Sequence, residues 1–181
     1  MIPLEGKNIK LRAMEPSDLD VLYLWENDPE NWFVSNTYAP FSKHILMKFI
    51  EEAGHDIFKT CQMRLIIILK SQREGKDIPV GAIDLFDFDP HHLRAGLGIL
   101  IGRKDLRNQG FASEALSIFI DYAFNVLQLH QLYCNIAANN KTSLNLFKKH
   151  GFIITGEKIE WLRNAGSWLN EYLLQLINPN K

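Results

Sequence analysis

Gly102-Arg103-Lys104-Asp105-Leu106-Arg107-Asn108-Gln109-Gly110-Phe111-Ala112-Ser113 is the stretch on which the reading of this chain turns. It follows an apolar run punctuated by glycine, Leu93 to Ile101, which reads as a strand. It precedes the strongest helical pattern in the sequence, Gly110 to Leu127, where Ala112, Ala115, Leu116, Phe119, Ala123 and Val126 recur on one face. A helix start leaves four backbone N–H groups without intrahelical partners. The helix dipole adds about half a positive charge there. Small residues at Gly110 and Ala112 let a diphosphate approach the backbone closely, and Arg107 can add a charge-assisted bond. A single glycine before a helix is common, however. The pattern is also neither a Walker A loop nor GxGxxG. The residues alone therefore support an anion site and no more.

Working outward, Asn8 to Arg12 reads as a short strand. Glu15-Pro16-Ser17-Asp18 is a helix-start signal, and Asp28-Pro29 ends the helix that follows. Asn31 to Phe41 is an aromatic-rich connection. Ser42 caps a second helix with Ile45, Leu46, Phe49 and Ile50 on its apolar face. Leu65 to Leu69 is a buried strand, Ser71 to Asp77 a hairpin loop, and Val80 to Phe88 the next strand. Asp89-Pro90-His91-His92 is a turn. Beyond the long helix, Leu132 to Ala137 is a strand, and Asn139 or Asn140 caps a short helix that Gly151 terminates. Phe152 to Leu162 and Trp168 to Ile177 are final strands around the turn Arg163-Asn164-Ala165-Gly166. Gly96 and Gly98 inside the Leu93 to Ile101 strand suggest a bulge or a close backbone approach. The order is strand, two helices, three strands, helix, strand, helix, two strands, an α/β (α+β) layered architecture.

The 181 residues fit one domain, 1–181. A net charge of −1 lacks the basic excess of a general nucleic-acid binder. Cys61 and Cys134 stand outside any metal-ligand spacing, so no metal is expected. The first residues lack a long apolar segment of the signal-peptide kind. No run of about 18 apolar residues reads as a membrane span. These features place the chain in the cytoplasm with reduced thiols.

Arg107-Asn108-Gln109-Gly110-Phe111-Ala112 resembles the R/Q-x-x-G-x-G/A signature of the GNAT acetyltransferase superfamily. Asn140-Lys141-Thr142-Ser143, then Leu146 to Phe152, is similar to that family's N-x-x-S…G-F block. Asn164-Ala165-Gly166-Ser167-Trp168, with Leu11-Arg12-Ala13 and Asp18, resembles the branch of ribosomal-protein N-terminal and spermidine acetyltransferases. The resemblance implies a mixed, mostly antiparallel sheet of six to seven strands flanked by about four helices. It also implies acetyl-CoA as cosubstrate, its pyrophosphate held by Arg107 and by the backbone amides of Asn108, Gln109, Gly110, Phe111, Ala112 and Ser113. Gly98 to Ile101, Leu100 and Ile101 included, would splay from Leu132 to Ile136 and receive the pantetheine arm. Asn140, Ser143 and Phe147 would line the cofactor side of the cleft. The implied reaction is transfer of an acetyl group to a primary amine by direct attack. The acceptor is a protein N-terminus, a polyamine or a small amine. A homo-oligomer is left open.

Two points stand apart from the family pattern. Phe147 occupies the place where many relatives carry a tyrosine that protonates the departing thiolate, and phenylalanine donates no proton. Either the thiolate leaves unassisted, since its pKa is about 8.5 like that of cysteine, or Tyr133, Tyr172 or water serves. The alternative is an acyl-CoA-binding module with weak or no turnover. Asp84 is the candidate base or acceptor-binding group, weighed against a structural pair. Strand alternation puts Asp87 on the other face unless a bulge intervenes; Asp87 and Asp89 read as solvated turn acids. Trp25, Trp32, Phe33, Tyr38 and Phe41 read as pocket floor or helix packing. Glu26, Asp28 and Glu30 could attract a cationic acceptor, and read first as a solvated helix end. His91 and His92 read as a solvated turn, and Cys134 as a buried inert thiol. Closely spaced glutamates expected of a spermidine enzyme are missing between Trp32 and Ser42.

Overall fold

In the computed structural model of the chain, residues 4–35, 37–70 and 77–180 are described, apart from the side chains of Phe33 and Val34. The loop expected at Ser71 to Asp77 lies outside these residues except for Asp77.

Ile66, Ile67 and Ile68 form a continuous apolar run because their strand is covered on both faces. This strand, β2 (Met63–Leu69), sends Leu65 and Ile67 into one core, and Ile66 and Ile68 into another. It pairs antiparallel with β1 (Ile9–Ala13) and with β3 (Ile78–Asp89). β4 (Arg94–Ile101) follows antiparallel to β3, and then β5 (Gln131–Ala137) runs parallel to β4. The hairpin of β6 (Ile153–Asn164) and β7 (Ser167–Ile177) closes the sheet, with β7 inserted beside β5. The order is β1-β2-β3-β4-β5-β7-β6, a seven-stranded sheet.

A parallel neighbour demands a crossover, and α5 (Phe111–Asn125) supplies it between β4 and β5. Ala115, Leu116, Phe119, Ala123 and Phe124 are its buried residues. The expected stripe thus holds except at its end, where Val126 is 46% exposed. Val126 lies past the last regular turn, and Phe124 fills the core instead. On the opposite face α1 (Leu19–Glu26) and α3 (Lys43–Glu52) lay Leu22, Trp25 and Ile50 over Ile66, Ile68 and Ala82. Ser42 caps α3 by accepting from the Ile45 amide, while Ile45 itself faces solvent.

The described residues hold six α-helices rather than about four. One unforeseen helix, α2 (Pro29–Ser35), begins where the sequence suggested only an end. Asp28 accepts from the Glu30 amide, and proline is already set for the first helical position. The same residues that stop α1 therefore start α2. The other, α4 (Ile57–Thr60), is one turn capped by Asp56 and too short to show periodicity. The last helix, α6 (Lys141–Lys149), is capped by Asn140, whose side chain accepts from the Ser143 amide at 3.1 Å. Gly151, at φ 88°, ends it as expected. Ala165 and Gly166, both at positive φ, make the tight β6–β7 turn. No helix among the described residues is long and apolar enough to cross a membrane.

Candidate active site

The parallel pairing of β4 and β5 lasts for three positions, Arg94 with Gln131, Ala95 with Leu132 and Gly96 with Tyr133. Beyond them the strands part, two residues later on β5 than the sequence suggested. β4 continues against β3 alone, and β5 against β7 alone. The edges that face each other, from Leu97 and from Cys134 onward, thus present N–H and C=O groups with no partner strand. Such groups need a ligand, water or side chains. Phe86 sits at the parting, its ring edge-on to Tyr133 at 6.0 Å. A Cβ on Gly96 would collide with that ring, so this glycine makes room for Phe86 and not for a ligand. A Cβ on Gly98 would meet only Phe86 and Asp84, at ordinary van der Waals distance.

The parting opens a cleft of about 890 Å³. Leu100, Asn140, Ser143 and Phe147 line it, as does Asp84 from β3. Ile101, at the end of β4, and residues 107–113 do not; residues 107–113 lead into and begin α5, forming a shelf there. There Gly110 adopts φ 88° and Asn108 φ 61°. Glu114 is the first residue of the helix to donate to a helical carbonyl, that of Gly110 at 3.0 Å. Among the described residues no hydrogen bond engages the amides of Gly110, Phe111, Ala112 or Ser113. Space beside Gly110 is open. A run of free amides with room in front of them fits a diphosphate.

Two side chains of this shelf have other partners. Arg107 donates to the Ile101 carbonyl and to Asn31 Oδ1, both at 3.0 Å. Its guanidinium satisfies a strand-end carbonyl and ties it to α2. Ser113 Oγ lies 2.9 Å from His150 Nε2, joining the start of α5 to the end of α6. Burial and then Lys149 push the His150 pKa below its ordinary value.

Across the cleft, Asp84 is one member of a charged triad. Arg64 of β2 donates through Nε and Nη2 to the two oxygens of Asp84 at 2.5 and 3.0 Å, and through Nη1 to Glu26. Burial would lower the Arg64 pKa, but Asp84 and then Glu26 outweigh it, so the guanidinium is held charged. Glu26 is therefore not a solvated helix end. Its side chain is 13% exposed and lines the cleft with Arg64. Sequence reasoning missed Arg64 altogether, although a lone arginine beside Leu65 to Leu69 needed a counter-charge. Asp28 and Glu30 share Lys104, each at 2.9 Å, outside the cleft. Asp87 is exposed and accepts from the Tyr133 hydroxyl at 2.9 Å.

A second charged group stands on the β5–β7–β6 wall. Lys158 Nζ donates to Glu171 Oε2 at 2.8 Å and to Asn135 Oδ1 at 2.9 Å, and lies 5.1 Å from the Trp161 ring centroid. All four residues line the cleft. Sequence spacing gave no sign of them, because the pair is made by strand register: Lys158 faces Glu171 across β6 and β7.

Phe147 is buried edge-on against Phe152 at 5.0 Å and brings no hydroxyl. Neither alternative acid lines the cleft. Burial and Asp87 push the Tyr133 pKa up to about 12, and Tyr172 packs on the core. Burial likewise pushes the Cys134 thiol up to about 12, which makes it inert. Of the aromatic cluster, Trp25 is buried under Gly102, Trp32 donates to the Glu26 carbonyl at 2.8 Å, Phe41 is half-buried, and Tyr38 is exposed at the cleft. His92 binds Asp89 in an exposed turn. The described residues contain no group of side chains suited to a metal ion.

Comparison with known proteins agrees with this architecture. Residues 8–153 match the family model described as Acetyltransferase (GNAT) domain. Spermidine N(1)-acetyltransferase of Escherichia coli K12 is 26% identical over 166 residues, 90% of this chain and 82% of that protein. An uncharacterized N-acetyltransferase, p20, of Bacillus licheniformis is 28% identical over 98% of this chain and 97% of its own. The crystal structure of spermidine N-acetyltransferase from Vibrio cholerae in complex with CoA and spermine has the same fold. It superposes with a TM-score of 0.81 at 22% identity, covering 95% of this chain and 96% of that one.

Proposed function

Since the chain belongs to the GNAT acetyltransferase family and is an acyl-CoA-dependent N-acyltransferase, we propose that its split-strand cleft transfers acetyl from acetyl-CoA to a small primary amine in the cytoplasm, with residues 1–181 acting as one unit. The observation that carries this reading is the coincidence of two features. Free amides at the start of α5 follow the parted end of β4, to which Arg107 is bonded, and the carboxylates that share Arg64 line the cleft.

Acetyl-CoA supplies a thioester carbonyl. The amides of Gly110, Phe111, Ala112 and Ser113 hold its pyrophosphate, with Asn108 and Gln109 shaping the approach. The open edges of β4, at Leu100 and Ile101, and of β5 bond the amide-rich arm. Asn140, Ser143 and Phe147 close its flank. A backbone N–H of β4 faces the carbonyl oxygen as charge develops there. Holding amine and carbonyl in line removes much of the barrier, up to about 7–11 kcal/mol in the best cases. Asp84 and Glu26 draw the acceptor in as a cation. Its proton passes to one of them or to water before attack. The thiolate leaves without a protein acid, because the cleft offers no hydroxyl at Phe147.

The test mixes protein, acetyl-CoA and a panel of amines that includes spermidine and an N-terminal peptide amine. Release of free thiol with small amines is the expected result. Tight acetyl-CoA binding without thiol release across the panel would favour the binding module instead. Thiol release with the peptide alone would move the acceptor to protein N-termini.

A further inference from the structure

The cleft contains its own ammonium ion. Lys158 Nζ sits on a carboxylate, Glu171, a carbonyl oxygen, Asn135 Oδ1, and the face of Trp161. These are the parts from which a site for an alkylammonium is built: a counter-charge, a neutral acceptor and an aromatic face. Glu171 is 6% exposed, so it is committed to this partner. The opposite wall differs, since there one cation, Arg64, stands against two carboxylates, Asp84 and Glu26.

Counting formal charges among the described residues that line the cleft gives Glu26, Asp84 and Glu171 against Arg64 and Lys158, a net −1. That matches one ammonium. A diamine or polyamine lying along the cleft would bring a second cation toward a wall already neutralised by Lys158. Like charges so placed repel each other, and no carboxylate of that wall is left to receive it.

Resting on the acetyl-transfer reading above, we propose that the acceptor is a monoamine: one primary ammonium on an uncharged body. Lys158 is a specificity-determining residue that stands where the second ammonium of a polyamine would bind. The ammonium enters on the Glu26–Asp84 side, and the uncharged body lies against Trp161 and Tyr38.

The experiment compares phenethylamine with spermidine in the wild-type protein, in K158M and in K158M/E171Q, each checked for folding by circular dichroism. Thiol release gives kcat/KM, and calorimetry on protein loaded with CoA gives amine affinity independently of turnover. The wild type should favour phenethylamine at least tenfold in both readouts. K158M frees Glu171, so the spermidine-to-phenethylamine ratio should rise at least tenfold. K158M/E171Q removes the freed carboxylate, and the ratio should fall back toward that of the wild type. Where K158M does not fold, the double variant and Lys158→Arg, which keeps the cation and should keep the preference, carry the comparison. A wild type that prefers spermidine, a ratio unmoved by K158M, or no amine binding to the CoA-loaded protein would each overturn the proposal. Failure to bind acetyl-CoA would instead sink the acetyl-transfer reading itself.

Discussion

Gly110 combines φ 88° with open space where a Cβ would stand. A side chain there meets no wall, so its effect comes from backbone strain and from whatever it places before the amides. Gly110→Ala should cost about 1–2 kcal/mol of local strain and weaken acetyl-CoA modestly. Gly110→Glu should abolish binding in calorimetry, since it adds an anion at the anion shelf; unchanged affinity would refute that assignment. Phe147→Tyr supplies a hydroxyl at the position where Phe147 has none. Turnover should hold or rise, and a large fall would mean that the contact with Phe152 matters more than any acid. Arg64→Met strips two partly buried carboxylates of their shared cation. It should destabilise the fold by about 3–5 kcal/mol in urea melts, and removing both charges as well, with Glu26→Gln and Asp84→Asn, should restore most of the loss.

The elements differ in how plainly their sequences announce them. The β2 strand, α5 and the β6–β7 turn follow from local pattern: a two-sided apolar run, a 3.6-residue stripe and two residues at positive φ. The N-terminus of α6 was equally legible, because an asparagine cap acts on an amide three residues away. Asn140→Ala should cost about 1 kcal/mol, read as a lower thermal midpoint. It should also weaken acetyl-CoA if Asn140 lines the cofactor side. By contrast, α2 was hidden because Asp28-Pro29 reads equally well as a stop and a start, and only contacts made in the folded chain decide. Asn27 decides it in part, bonding both the Phe41 amide and carbonyl. No local period could reveal α4, which is a single turn.

At the scale of the molecule, Asp18 joins β1 to the start of α1. It is 2% exposed and accepts from Arg12 at 2.6 and 2.8 Å and from the Glu15 amide at 2.8 Å. Burial alone would raise its pKa, but Arg12 and the Glu15 amide hold it below the ordinary value. A carboxylate depressed in the folded state stabilises fully above its unfolded pKa, about 3.9. That stability is lost as pH falls through the folded value. The urea midpoint should therefore drop between pH 5 and pH 3, and more steeply in the wild type than in Asp18→Asn.

The sequence by itself determined the layered α/β fold and the run of free amides at the start of α5. Both rest on neighbours along the chain: consecutive amides freed at one helix start, a glycine that permits φ 88°, and apolar periods that need only a few residues to be read. The tertiary structure alone decided which charges line the cleft. Arg64 meets Glu26 and Asp84 from 38 and 20 residues away, and Lys158 meets Glu171 through strand register. Which partner a charge meets across elements leaves no local trace, because the pairing exists only once packing brings the elements together.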